Sequence, residues 1–143
     1  PLIIGPDSES AQWVTAVSNL LCAPSVVARK ERHGDRDVEI SLPEIDNWRD
    51  HTPVLLDDIV ASGATMIQTL RCLRGRTSSP PVCVAVHGLF AGEALEAMRA
   101  EGAGLIVASN SVVTDTSQID ISKPVAEAMV GLCAASAGSG VPA

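Results

Sequence analysis

Residues 54–65 constrain the fold of this chain more than any other segment of its sequence. Their apolar beginning ends in two adjacent carboxylates, Asp57 and Asp58, and a loop of small residues follows. Beyond the loop, apolar residues recur at the spacing of one helix face: Met66, Ile67, Leu70 and Leu73. The pattern predicts a buried strand, a tight turn and an amphipathic helix. The turn then lies at the carboxyl end of a strand, where open α/β sheets bind their ligands.

The loop itself has the composition of an anion-binding turn. Gly63 and the small residues Ala61, Ser62 and Ala64 let backbone N–H groups come close to an anion. The first turn of the following helix adds its partial positive charge. The hydroxyls of Ser62 and Thr65 can donate hydrogen bonds to the same anion. The loop is therefore a predicted phosphate-binding site.

The two carboxylates before the loop suggest what else the ligand carries. Asp57 and Asp58 point to opposite faces if the strand persists, but at a fraying strand end both can face the mouth of the site. There they can accept hydrogen bonds from a vicinal diol, or hold a divalent cation through water. The alternative is that the two acids merely end a strand and that Ser62 caps a helix. The complete pattern favours a sugar-phosphate site.

Composition and charge limit the class of protein. The chain has 143 residues, of which 46% are hydrophobic, and contains no Tyr. Its core must be aliphatic, which suits a parallel sheet covered by helices. The formal charge of −7 argues against nucleic acid or an anionic membrane as a partner. The four cysteines lack metal-ligand spacing and indicate buried, reduced thiols in a cytoplasmic protein.

Other segments complete a prediction of a three-layer, mainly parallel α/β fold. Apolar runs at 2–6, 24–28, 81–86 and 104–108 are predicted to be strands, and 38–42 alternates like an edge strand or hairpin arm. The last helix is predicted from about Ser122 to near Cys133, so that residues 1–134 form one domain and 135–143 a disordered tail. Neither a P-loop nor a dinucleotide-binding glycine motif is present in the sequence.

These motifs together carry a resemblance to a known family. Segment 54–65 resembles the phosphoribosyl pyrophosphate (PRPP) binding motif of the phosphoribosyltransferase superfamily. Three shorter motifs flank this segment in the order seen in the C-terminal half of ribose-phosphate pyrophosphokinases. They are Pro6-Asp7 and Lys30-Glu31-Arg32 before it and His87-Gly88 after it. The similarity covers roughly residues 2–130 and implies a type I phosphoribosyltransferase-like, Rossmann-like fold. It also implies that this chain is one half of a two-domain, homo-oligomeric enzyme and does not catalyse alone.

The resemblance assigns roles to the residues of the central motif. It implies transfer of the β,γ-diphosphoryl group of ATP to ribose 5-phosphate, which gives PRPP and AMP. Residues 61–65 would hold the 5-phosphate, and Asp57 and Asp58 the ribose hydroxyls. Lys30 and Arg32 would stabilise the transferring group, and Mg²⁺ would bridge the ATP phosphates.

Two further residues have competing interpretations. Asp7 would belong to the metal site or the pyrophosphate loop of the family, or it is only the N-cap of a helix. His87 would line the site at the same sheet edge as Asp57, or it is a structural residue at a strand end. The charged segment 29–37 is a solvated mobile loop by default, whereas in the family such a loop closes over the phosphates.

Departures from the family pattern keep two other functions open. Ser8-Glu9-Ser10 stand where the family usually has glycines, and Ala61 stands where it has Asp, Ser or Thr. One alternative is a phosphoribosyltransferase that uses PRPP as donor. The other is a catalytically silent homologue that binds or regulates an active synthetase. The Lys-x-Arg and His-Gly segments favour the synthetase.

Overall fold

The computed structural model describes residues 1–32 and 38–138, with side chains for residues 1–30 and 40–133 among them. The chain forms eight strands and four α-helices in the described part. The elements in order are β1 (Leu2–Gly5), α1 (Ala11–Leu21), β2 (Ser25–Val27), β3 (Arg29–Arg32), β4 (Val38–Ser41), a 3-10 helix (Ile45–Trp48), β5 (Pro53–Val60), α2 (Ala64–Leu73), β6 (Val82–Gly88), α3 (Ala94–Ala100), β7 (Leu105–Ser109), β8 (Ser117–Ile119) and α4 (Ser122–Gly138).

Six of the strands form one parallel sheet in the order β2-β1-β5-β6-β7-β8. The chain leaves β1 toward one edge and, from β5 onward, builds toward the other. Since parallel crossovers are right-handed, this reversal places α1 on one face and the helices that follow β5 on the other. The predicted three-layer α/β architecture is confirmed. The reversal between β1 and β5 is the position at which such sheets bind ligands.

The core is aliphatic, as the composition predicts. Ile4 of β1 and Leu55 of β5 are register partners, and neither is exposed to solvent. They belong to one buried cluster that also contains residues of α2 and α3: Met66, Leu70, Leu73, Ala94 and Met98. Each fully buried large aliphatic side chain contributes about 1.5–3 kcal/mol to stability. This packing holds the amino end of α2 rigidly beside the end of β5.

The charged segment 29–37 does not begin as a loop. Its first four residues form β3, which pairs antiparallel with β4, and Lys30 lies opposite Ile40. The alternation in 38–42 explains this, because Ile40 and Leu42 are buried in the main core and anchor the hairpin. The thiol of Cys72 on α2 also donates to the carbonyl of Ile40 at 3.0 Å. Residues 33–37 lie outside the described part of the chain.

Other boundaries differ from the sequence-based expectation. β5 extends to Val60 instead of ending at Asp57, and β8 was not predicted as a strand. α4 ends at Gly138, beyond the expected end near Cys133, because its alanine-rich sequence favours helix. The predicted tail 135–143 therefore overlaps the helix, and its residues 139–143 are outside the described range, so the domain division stays a prediction.

The prediction that the cysteines are buried is correct for only part of the set. Cys83 is buried and Cys72 half-buried, whereas Cys22 and Cys133 are exposed. Burial raises the pKa of the Cys83 thiol to about 12. Cys22 is the C-cap of α1 and has a left-handed conformation with φ 49°. Over the described residues, no helix is both long and apolar enough to cross a bilayer.

Replacing Gly88 with Ala should destabilise the protein. A Cβ at this position would collide with the ring of Phe90 and lie 2.7 Å from the Cβ of Ala108. Overpacking of this kind costs about 1–3 kcal/mol, which urea unfolding would measure. Gly131→Ala is the control, because a Cβ at Gly131 meets nothing within 4 Å. Equal midpoints for Gly88→Ala and the wild type would contradict this packing.

Candidate functional site

The predicted phosphate loop lies between β5 and α2. Gly63 occupies the N-cap position of α2 with φ 72°, a left-handed conformation that glycine adopts without strain. The helix's first backbone bond runs from the N–H of Ile67 to the carbonyl of Gly63, at 2.8 Å. Because glycine has no capping side chain, the N–H groups of the first turn are left to water or to an anion. The hydroxyl of Ser62 accepts one weak bond, at 3.4 Å, from the N–H of Ala64.

A cavity of about 150 Å³ opens at this loop and is lined by Asp57 and residues 59–66. Its volume corresponds to a few water molecules at roughly 30 Å³ each, or to one phosphate group. The structure therefore brings Ala61, Ser62, Gly63, Ala64 and Thr65 together around one small opening, as the sequence predicts. The phosphate itself stays a prediction.

The two adjacent acids have different surroundings. β5 continues as a strand through Val60, so the expected fraying at Asp57 and Asp58 is not found. Asp57 is half-buried and lines the cavity, whereas Asp58 is exposed and lies beside it. The N–H of Asp58 donates to Oδ1 of Asp57 at 3.1 Å, and the N–H of Ile59 donates to Oδ1 of Asp58 at 2.8 Å. Both carboxylates are thus tied to the backbone.

Asp57 is held in an electrostatically unfavourable position. Burial raises the pKa of its carboxyl to about 6, and the negative charge of Asp7 acts in the same direction. The hydrogen bond from the N–H of Asp58 opposes these effects without cancelling them. A hydroxyl donor or a cation next to Asp57 would stabilise its charged form and so offset the effects of burial and of Asp7. Raised carboxyl pKa values in a cleft are typical of functional sites.

Asp7 connects the turn after β1 with the hairpin. Its Oδ1 accepts hydrogen bonds from the N–H groups of Glu9 and Ser10, at 3.1 and 3.2 Å. Its Oδ2 lies 3.6 Å from Nζ of Lys30. The turn 8–10 therefore directs two of its amides at Asp7. The expectation that Asp7 is the N-cap of α1 is wrong, because Ser10 occupies the N-cap and Asp7 accepts from amides of the turn before the helix. The role of Asp7 in a metal site stays a prediction.

A metal ion fits this donor set only with help from a ligand. Among the described residues, no group of three or more His, Cys, Asp or Glu side chains is placed to hold an ion. Mg²⁺, however, commonly binds through one or two carboxylates together with substrate phosphates and water. Asp7 and Asp57 fit that role, because their negative charges repel each other and a cation between them would reduce the repulsion.

The two predicted catalytic cations lie on β3. Lys30 is 43% exposed and reaches Asp7, so it stands at the edge of the site. Arg32 ends β3 opposite Val38, and its side chain is not among those described. The catalytic roles of both residues stay predictions.

His87 lies at the same sheet edge, in register with Ile59 of β5. Its Nδ1 is 2.8 Å from the hydroxyl of Ser111. Sequence reasoning did not find this contact, although two serines directly after an apolar strand could have suggested it. Asn110, between those serines, is structural: it accepts from the N–H of Ile121 at 3.0 Å and donates to Asp120 at 2.9 Å.

The loop after β6 is also fixed to the end of β5, a feature that no sequence pattern showed. The N–H groups of Leu89 and Phe90 both donate to the carbonyl of Val60, at 3.0 and 3.1 Å, and the N–H of Ala91 donates to the carbonyl of Ala61 at 2.9 Å. These bonds brace the phosphate loop from its far side.

A parallel sheet whose strand order reverses, with helices connecting its strands, defines a doubly wound α/β domain. The model of the phosphoribosyl transferase domain family matches residues 1–113. The chain therefore belongs to the phosphoribosyltransferase-domain family.

Within this family, the chain is similar to ribose-phosphate pyrophosphokinases. It is 28% identical to the one from Methanopyrus kandleri over 131 residues, which cover 92% of this chain and 45% of the relative. It is 30% identical to the one from Sulfurisphaera tokodaii over 123 residues, which cover 85% of this chain and 42% of the relative. The chain thus spans less than half the length of these relatives. The predicted resemblance is confirmed; the assignment to the C-terminal half stays a prediction.

Solved structures show the same fold. The phosphoribosylpyrophosphate synthetase from Mycobacterium smegmatis matches with a TM-score of 0.69 at 16% identity, over 92% of this chain and 44% of that one. An adenine phosphoribosyl transferase from Trypanosoma brucei, in complex with AMP, pyrophosphate and ribose-5-phosphate, matches with a TM-score of 0.63 at 16% identity, over 89% and 68%. The type I phosphoribosyltransferase-like fold predicted from the sequence is confirmed.

Replacing Asp57 with Asn should stabilise the ligand-free protein at pH 8 but not at pH 4. The pKa of Asp57 is about 6 in the folded protein, against an ordinary 3.8, so the folded state binds this proton more tightly than the unfolded state. The contribution of Asp57 to the free energy of unfolding therefore falls as the pH rises from about 4 to about 6. Solvent screening of this half-exposed group limits the effect to about 1 kcal/mol.

Urea unfolding of both proteins between pH 4 and pH 8 measures this difference. Asp50→Asn, at an exposed position on the segment before β5, serves as the matched control. A stability difference between Asp57→Asn and the wild type that is constant across this pH range would contradict the assignment.

Proposed function

We propose that this chain is the ribose 5-phosphate-binding half of a ribose-phosphate pyrophosphokinase, which transfers the diphosphoryl group of ATP to ribose 5-phosphate. The similarity to relatives of that name supports the proposal. The observation that carries it is one small cavity that is lined both by the first residues of α2 and by Asp57. Phosphate donors and a hydroxyl acceptor in one site match the two ends of a sugar phosphate.

The binding half of the reaction follows from this geometry. The 5-phosphate would accept hydrogen bonds from the amides after Gly63 and from the hydroxyls of Ser62 and Thr65. The ribose hydroxyls would donate to Asp57 and, at the rim, to Asp58. Since the chain carries a formal charge of −7, its overall field repels the substrate. Local amides and hydroxyls must supply the attraction.

The transfer half of the reaction needs positive charge near the developing negative charge. Lys30 is placed for this task, because its ion pair with Asp7 is long, at 3.6 Å, and partly open to solvent. A partly solvated pair of this length contributes only about 1 kcal/mol. Lys30 can therefore exchange Asp7 for a phosphoryl oxygen at little cost, and Arg32 on the same strand would act with it. Mg²⁺, held by Asp7 and Asp57 together with the ATP phosphates, would neutralise phosphate charge.

One observation favours the silent homologue as a second candidate. The amides of Glu9 and Ser10 donate to Asp7, so they are not open to a pyrophosphate group as glycine amides would be. A protein of this kind would bind PRPP or ribose 5-phosphate and associate with an active synthetase without forming AMP. The homo-oligomer and the cytoplasmic location also stay predictions.

The decisive assay uses the native polypeptide that carries this sequence, with ATP, ribose 5-phosphate and Mg²⁺, and measures AMP that depends on the sugar. Lys30→Ala should lower kcat by about 100-fold or more, because it removes charge stabilisation from the transition state. Asp58→Asn should mainly raise KM for ribose 5-phosphate, by about tenfold. Lys123→Ala removes an exposed cation of α4 that pairs with Glu127 and should change neither constant.

The absence of sugar-dependent AMP, while PRPP still binds, would reject the synthetase. Pyrophosphate release from PRPP in the presence of purine or pyrimidine bases would then identify a phosphoribosyltransferase. Binding without either reaction would leave the silent homologue.

Two glycine substitutions distinguish a loss of phosphate binding from a general loss of stability. Gly63 and Gly75 have nearly the same positive φ, 72° and 73°, so each change to Ala should cost about 1 kcal/mol of stability. Only Gly63→Ala should weaken ribose 5-phosphate binding, by about tenfold, because the loop amides leave their positions. Titration calorimetry of both variants tests this. Equal affinities in the two variants would show that the phosphate binds elsewhere.

A further inference from the structure

Two serines at the end of β7 form a compact hydrogen-bond network with the end of β6. The buried hydroxyl of Ser109 lies 2.6 Å from the carbonyl oxygen of Val86 and 3.0 Å from the hydroxyl of Ser111. The hydroxyl of Ser111 lies 3.0 Å from the same carbonyl and 2.8 Å from Nδ1 of His87. The Ser111 hydroxyl makes the one contact of these four that reaches the imidazole ring, and the other three join the two hydroxyls and the carbonyl oxygen.

Counting hydrogens decides which tautomer of His87 this network favours. The two serine hydroxyls supply two hydrogens, and a carbonyl oxygen can only accept. If Ser111 donates to Nδ1, only the Ser109 hydrogen is left for the three contacts among the two hydroxyl oxygens and the carbonyl oxygen. Two of those three contacts then have no hydrogen between the oxygens, whose lone pairs repel. If Nδ1–H donates to Ser111, both hydroxyls can donate among the oxygens, and three of the four contacts hold a hydrogen. The network therefore favours the form with the proton on Nδ1.

The other ring nitrogen is then the one available to a ligand. His87 is exposed and pairs in register with Ile59, which lines the cavity at the phosphate loop. Nε2 has no hydrogen-bond partner in the part of the chain that the structure describes. In the neutral ring with hydrogen on Nδ1, Nε2 carries a lone pair and accepts a hydrogen bond.

We propose that Ser109 and Ser111 are positioning residues that fix His87 with hydrogen on Nδ1, so that Nε2 accepts a hydrogen bond from a hydroxyl of the bound sugar phosphate. This inference rests on the proposed function for its ligand, but its tautomer does not. His87 thereby adds a neutral acceptor to the carboxylate of Asp57. Such an acceptor adds specificity for hydroxyl groups without adding negative charge beside the phosphate.

The tautomer is tested by ¹⁵N–¹H correlation spectra of the histidine side chains at pH 8. The chain has three histidines, and His87→Gln assigns the signal of interest. The wild type should show the proton on Nδ1, which is the less populated form of imidazole in free peptides. Ser111→Ala should return His87 toward the Nε2–H form, and Ser111→Thr, which keeps the hydroxyl, should preserve the Nδ1–H form. An Nε2–H signal in the wild type would overturn the positioning role.

The ligand contact is tested by adding ribose 5-phosphate or inorganic phosphate to the same sample. Ribose 5-phosphate should shift both the amide of Gly63 and Nε2 of His87, whereas inorganic phosphate should shift only Gly63. Ser111→Ala should weaken ribose 5-phosphate binding by about 2- to 10-fold, and Ser111→Thr should restore it.

The outcomes of this titration separate the inference from the proposed function. A shift at Gly63 without one at Nε2 overturns the contact at His87 and leaves the sugar-phosphate site intact. An equal shift of Nε2 with inorganic phosphate overturns the hydroxyl as its partner. No shift at either residue rejects the proposed function and the ligand contact together, while the tautomer of the free protein still decides the positioning role.

Discussion

Parallel pairing of β1, β5 and β6 is the constraint on which the candidate site depends. Because these strands run in the same direction, the segments that follow them meet at one sheet edge, although they are far apart in the sequence. Asp7 follows β1, the phosphate loop follows β5, and His87 lies near the end of β6. The reversal of strand order between β1 and β5 keeps the connecting helices away from that edge. Any change that broke the pairing would therefore scatter every residue of the site.

Charge is the second theme of this site. An acidic chain places Asp57, Asp58 and Asp7 beside a loop suited to an anion, and the raised pKa of Asp57 is the visible result. Phosphate and carboxylates repel each other unless hydroxyls, amides or a cation lie between them. Sugar hydroxyls and Mg²⁺ are groups of that kind. Lys30 has the same effect, because its ammonium group pairs with Asp7 and offsets part of the negative charge of these carboxylates.

The hairpin shows how packing can give structure to a charged segment. Residues 29–32 have no apolar face of their own, and by composition they read as solvated loop. They form a strand because the partner strand β4 is anchored in the core by Ile40, and by Leu42 directly after it, and offers its backbone for pairing. Lys30 is therefore held on a strand anchored beside Asp7 and the site. The backbone groups of β3 form their hydrogen bonds with β4, and the composition of residues 29–32 alone does not predict that pairing.

The sequence by itself determined the fold class and the central strand–loop–helix, because these follow from periodicity and small side chains among near neighbours. Only the tertiary structure decided that Asp57 and not Asp58 lines the cavity, that Lys30 meets Asp7, and that Ser111 holds His87. It also decided that Cys22 is exposed and that β8 forms. Each of these depends on segments distant in sequence, and a contact between such segments has no local signature before the sheet brings them together.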